Sequence, residues 1–162
     1  MQKKSLNFAD MQAYTWFYSL ATPLTASEEA ALTADFAAFT QQWQSHGTPV
    51  NGLIQVKYKR FVIAQANPTT SRPSGCSIDS LKRGIEQILS QHQLPWLDAA
   101  YVFFRKDTDE IEAVHFKEIA SLVQTGVLKA ETTVFDHSLS HSDDLDKWEV
   151  PLKQTWIKRH LN

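Results

Sequence analysis

The only cysteine, Cys76, sits in Ser74-Gly75-Cys76-Ser77-Ile78-Asp79, where a Ser/Thr/Pro loop gives way to a helical spacing of apolar residues. The first N–H groups of a helix lack internal partners and carry partial positive charge, so this turn can hold an anion or lower the pKa of a thiol. For anion binding the donors are the amides from Gly75 to Ile78 and the hydroxyls of Ser74, Ser77 and Ser80, with Arg72 or Lys59 as charge partner. For nucleophilic catalysis Cys76 needs a base, and the sequence offers His46 or His115. Against both stands a plain packing role for a small apolar residue at a helix start. Asp79 also opposes a bound anion and a thiolate alike.

Other histidines and cations give weaker signals. His137 and His141 have the i, i+4 spacing of a metal pair beside Asp136, Asp143 and Asp144, but a third strong ligand is missing and the Ser/Asp-rich composition reads as a solvated loop. No metal and no cofactor is therefore expected. Lys57, Lys59 and Arg60 interleave with Tyr58 and Phe61, the one basic-aromatic cluster that could touch RNA from a sheet face. The motif of RNA-recognition sheets is absent, and with 16 basic and 18 acidic residues the net charge is −2. That balance supplies no global drive toward nucleic acid or anionic lipid. Gly47 and Gly52 have the spacing of a phosphate loop, but Leu53 and Ile54 follow where Lys and Ser/Thr are required.

These residues must be positioned by a chain of 162 residues, 43% hydrophobic and 21% charged, which predicts a single domain with its own core. One cysteine makes no internal disulfide, the N-terminus lacks a secretory apolar stretch and no 18-residue apolar run occurs, so a cytoplasmic protein without membrane contact is expected. Ala13–Tyr18 predicts a strand. Thr25-Ala26-Ser27-Glu28 has the spacing of a capping box, and Leu32, Phe36, Phe39 and Trp43 draw one apolar stripe along the helix that follows. Leu53–Tyr58 and Phe61–Ala64 read as a hairpin around a glycine-free turn whose type the sequence does not fix. Ile78, Leu81, Ile85, Ile88 and Leu89 define a second helix, within which Gly84 costs about 1 kcal/mol unless something packs closely on it.

Ala99–Phe104 reads as the fourth strand, with Ile111–Phe116 as its hairpin partner. The order β-α-β-β-α-β predicts an α+β protein with a ferredoxin-like core over Ala13–Phe104 and a C-terminal α/β extension over 105–162. In that extension we expect a helix over Phe116–Gln124 stopped at Gly126, a strand at Thr133–Phe135, a polar loop Asp136–Asp146, and a last helix from Pro151 carrying Leu152, Trp156 and His160.

Trp43-Gln44-Ser45-His46-Gly47, Ser74-Gly75-Cys76-Ser77-Ile78-Asp79 and Trp148-Glu149-Val150-Pro151-Leu152 together resemble a group of small uncharacterised bacterial proteins of about 160 residues that often carry the name "ABC transporter ATPase". That name implies a phosphate-binding loop, which this sequence lacks, so the resemblance implies no ATPase. Separately, Phe116–Asp136 is similar to the helix-turn-strand of the second type of GYF-like domain, although the aromatic dipeptide of those domains is missing. That similarity implies a protein-interaction role. The expectation taken forward is a non-catalytic ligand-binding or interaction domain with a small-anion site at Ser74–Ser77. A Cys76-dependent acyl- or thiol-transfer enzyme and an RNA-binding sheet are the alternatives.

Overall fold

The computed structural model describes residues 14–45, 48–49, 52–66, 75–138 and 142–162, and the chain falls into two compact units, one of residues 1–96 with 140–143, the other of residues 97–139 with 144–162. In the first, β1 (Tyr14–Leu20) leads to α1 (Ala26–Gln42), then to the short pair β2 (Gln44–Ser45) and β3 (Thr48–Pro49), the hairpin β4 (Gly52–Lys57) and β5 (Phe61–Ala66), α2 (Gly75–Gln91) and β6 (Trp96–Leu97). The sheet runs β4-β5-β1-β6, and β5 is antiparallel to both of its neighbours, with Phe17 opposite Ile63 and Ile54 opposite Ala64.

The start of α1 is dictated locally. The Thr25 hydroxyl accepts from the Glu28 N–H at 3.2 Å while the Glu28 carboxylate accepts from the Thr25 N–H at 2.9 Å, the reciprocal capping box that the spacing predicts. The stripe below it, Leu32, Phe36 and Trp43, is buried with Leu81, Ile85 and Leu89 of α2 against Leu20, Ile54, Val62, Ala64 and Ala66 of the sheet. Both helices thus use one apolar face on one sheet surface. The alternate residues of β5, Phe61, Ile63 and Gln65, are buried too, as befits a central strand. The end of α2 is less legible in the sequence: Gln93 takes a left-handed conformation (φ 57°), with its N–H on the Ser90 carbonyl and the Leu94 N–H on the Leu89 carbonyl. This is the Schellman arrangement, here built without glycine.

Gly84 is where the two helices meet closely. A Cβ at this position would lie 2.2 Å from Cε2 of Phe39, closer than any contact that two carbons tolerate. Gly84→Ala gains about 1 kcal/mol of helix propensity but must displace the ring, so we expect a net loss of about 1 kcal/mol. In a Phe39→Ala background the same substitution should stabilise by about 1 kcal/mol. Urea unfolding of the four proteins in the cycle checks this, and an effect of the same sign in both backgrounds would contradict the contact.

The second unit corrects the expected core boundary. Tyr101–Arg105 (β7) pairs with Ile111–His115 (β8), not with β1, and the fourth strand of the first sheet is instead the two-residue β6. An apolar run such as Tyr101–Phe104 marks a buried strand without saying which sheet it joins, and two residues are too few to show a period. After β8 come a 3-10 turn (Phe116–Glu118), α3 (Ile119–Gln124), β9 (Thr133–Phe135) and β10 (Glu149–Pro151), in a sheet ordered β10-β9-β7-β8. Gly126 ends α3 at φ 79° with the Schellman bonds Gly126 N–H to Val123 and Val127 N–H to Leu122.

The expected last helix is two short 3-10 segments, Leu152–Gln154 and Trp156–His160. Thr155 separates them: it is extended (φ −111°, ψ 173°), donates its hydroxyl to the Leu152 carbonyl and accepts from the Ile157 N–H. Phe104, Val114, Ile119, Leu128, Val134, Leu152 and Ile157 form the core of this unit. Among the described residues no helix is long and apolar enough to cross a membrane.

Candidate functional site

α2 begins at Gly75, so the amides from Gly75 to Ile78 form the first turn of a 17-residue helix. No carboxylate lies in that turn; Asp79 is exposed one position beyond it. Three residues on from Cys76 along the helix, its carboxylate still opposes a negative charge at this end. Arg72, Ser74 and His46 lie outside the described residues, as do the side chains of Cys76 and Ser77; for residues 75–77 the backbone alone is described.

Lys59, proposed from sequence as a charge partner for this turn, lies elsewhere in the unit. Its carbonyl accepts from Leu24 at 2.7 Å, and the neighbouring Ala21 N–H donates to Pro95, the residue reached after α2 has ended. A helix of 17 residues is about 25 Å long, so Lys59 stands at the far end of α2 from Cys76. His115, the alternative base, belongs to the second unit. Its Nδ1 accepts from the Lys117 N–H at 3.3 Å, and the Glu118 carboxylate accepts from its backbone N–H at 3.2 Å, so its ring acts as a helix cap. Tyr101 meets that ring edge-on at 5.4 Å and Phe116, 48% exposed, tilts against it at 4.7 Å.

The turn Lys57–Arg60 has a geometry that the sequence left open. Arg60 N–H closes it on the Lys57 carbonyl at 3.1 Å, and both central residues, Tyr58 (φ 56°) and Lys59 (φ 54°), are left-handed. That sign pattern belongs to a type I′ turn, normally Asn-Gly, and costs about 1–2 kcal/mol at each residue that carries a Cβ. Arg60 holds the turn in place. Only 6% exposed, it donates Nε to the Leu20 carbonyl at 2.7 Å and Nη2 to that of Ala21 at 2.9 Å, while its own carbonyl accepts from Leu20 N–H. Arg60 is thus an internal clamp and not part of a solvated basic face. Burial pulls its guanidinium below the usual value. Tyr58 remains 43% exposed at the tip, with the Lys57 ammonium 5.3 Å from its ring centroid.

A second correction concerns His137, expected in a solvated loop. Its ring stacks on Trp148 at 6.1 Å (20° between planes) and faces Phe103 at 6.0 Å; Trp148 in turn packs on Phe135 at 5.0 Å. Burial pushes the imidazole down to about 4, only partly offset by the adjacent Asp136. Among the described residues no group of three or more His, Cys, Asp or Glu is placed to hold a metal ion. Nothing in the sequence near His137 signals this stack, since its indole partner lies eleven residues on.

Comparison with protein-family models, with curated proteins and with solved structures returned no match.

Proposed function

We propose that the chain is a non-catalytic binding protein whose first unit takes a small anion at the opening turn of α2. The observation that carries this reading is the onset of a 17-residue helix at Gly75 with no carboxylate in its first turn. Such a helix end offers oriented N–H donors and partial positive charge to a phosphate, sulfate or carboxylate group. The element order β1-α1-β4-β5-α2-β6 and the sheet order β4-β5-β1-β6 support a ferredoxin-like arrangement for the unit that carries the site, with β2 and β3 as a small insertion.

Phosphate or sulfate should raise the melting temperature of the protein above that in chloride of equal ionic strength. At ten times the dissociation constant the gain is about 1.4 kcal/mol. Ser77→Glu adds a negative charge to the turn, which suits the helix end but repels the ligand, and should remove the response without unfolding the protein. A melting temperature indifferent to 20 mM phosphate and sulfate, or a response untouched by Ser77→Glu, would defeat the proposal. Alkylation of Cys76 by iodoacetamide against pH separates it from the thiol-enzyme reading. An apparent pKa at or above the ordinary value of about 8.5 would argue against the enzyme, and one far below it would favour the enzyme.

A further inference from the structure

We propose that the hairpin tip Lys57-Tyr58-Lys59 is a contact point for single-stranded nucleic acid, with the Tyr58 ring as a stacking surface and the two lysines on the flanking phosphates. The tip lies toward the opposite end of α2 from the anion site. The turn is strained: two consecutive left-handed residues, neither of them glycine or asparagine, are held there by bonds from three directions. Lys59 C=O receives Leu24 N–H, Arg60 C=O receives Leu20 N–H, and the Arg60 guanidinium grips the Leu20 and Ala21 carbonyls. An Asn-Gly tip would satisfy the same backbone without strain. Where such strain is over-determined by its surroundings, a role for the strained side chains is the natural inference.

Those side chains are a half-exposed phenol with an ammonium over its ring, and a second exposed lysine next to it. A flat aromatic face takes any base, and a lysine meets a phosphate as a mobile point charge. An acidic peptide is the weaker fit, because lysine is depleted at protein–protein contacts and a lone tyrosine gives such a partner little area. The overall charge of −2 means that background attraction to polyanions is small, so binding that does occur reports on the local tip.

The test uses the full chain, a fluorescein-labelled 12-nucleotide single-stranded RNA of mixed sequence, and anisotropy at 50 to 200 mM salt. Tyr58→Asn with Lys59→Gly should raise the melting temperature, since it relieves the turn, and weaken RNA binding tenfold or more. Tyr58→Ala alone should also lose about tenfold. Lys57→Ala together with Lys59→Ala should flatten the slope of log affinity against log salt by about 1.4, two phosphates' worth for a single strand. Absence of measurable binding by the wild-type protein at 50 mM salt overturns the proposal. So does binding that the Asn-Gly turn leaves unchanged. If a poly-glutamate of equal charge binds as well and is lost with the same substitutions, the tip belongs to acidic peptides and the nucleic-acid assignment falls.

Discussion

Arg60→Met is expected to destabilise the protein by about 3 kcal/mol. The side chain is buried, and its bonds of 2.7 Å to Leu20 and 2.9 Å to Ala21 serve carbonyls at the end of β1. Methionine matches the stem and keeps most of its packing, so the loss is chiefly that of donors to two carbonyls, each worth about 1–3 kcal/mol when left unsatisfied. Arg60→Lys keeps the charge but gives up the planar fork that reaches both acceptors together, and should recover less than half of the loss. Urea unfolding measures this, with an unchanged m-value showing that the native state is otherwise preserved. A cost below 1 kcal/mol for Arg60→Met would mean that Leu20 and Ala21 find other donors.

Acid should destabilise the second unit through His137. Its folded pKa of about 4 lies below the 6.5 of an unfolded histidine, so on acidification the unfolded chain takes up the proton first. Above pH 6.5 neither state is protonated and the residue contributes no pH dependence. Between 6.5 and 4 stability falls by about 1.4 kcal/mol per pH unit, to a total of about 3 kcal/mol. The cause is the enclosure of the ring between Trp148 and Phe103, which withdraws it from water; Asp136 acts in the opposite sense and is the smaller influence. His137→Phe keeps an aromatic ring at the stack and removes the titration. The difference in stability between variant and wild type should therefore widen, in favour of the variant, by about 2–3 kcal/mol from pH 7 to pH 4.5. A constant difference across that range would show that the imidazole stays hydrated. Carboxylate titrations are common to both proteins and cancel in the comparison.

The parts of the fold that were legible are those whose cause is local. Thr25 and Glu28 specify the start of α1 within four residues, and Gly126 specifies the end of α3 because left-handed backbone there suits a residue without Cβ. Gln93 does the same work for α2 with no such sign, since long-range packing of Leu89 and Leu94 outweighs its preference. The assignment of Ala99–Phe104 to the first sheet, when Tyr101–Arg105 belongs to the second, has a similar origin. Alternation reports burial, and partner choice depends on strands far away in the chain. β10 stayed hidden because Glu-Val-Pro reads as a break; Pro151 is tolerated there at the strand's end.

At the candidate sites, Cys76 could be placed at the opening of α2 from spacing alone. The separation of Lys59 from it could not, because only the Ala21–Pro95 bond reveals which end of the sheet the turn occupies. Composition misled twice for one reason. Arg60 and His137 each sit among polar neighbours in sequence and among carbonyls or rings in space.

The position of β1 between β5 and β6 carries a consequence for synthesis on the ribosome. The strand emerges first yet is enclosed last, since Leu20 waits for a residue 40 places further along and Trp96–Leu97 come later still. At about 5–20 residues per second that delay is roughly 2 to 8 s, during which the apolar Trp16 and Leu20 and both open backbone edges are available to other nascent chains. Slowing elongation between codons 20 and 61 should accordingly lower soluble yield, and slowing it beyond codon 97 should spare this half of the molecule.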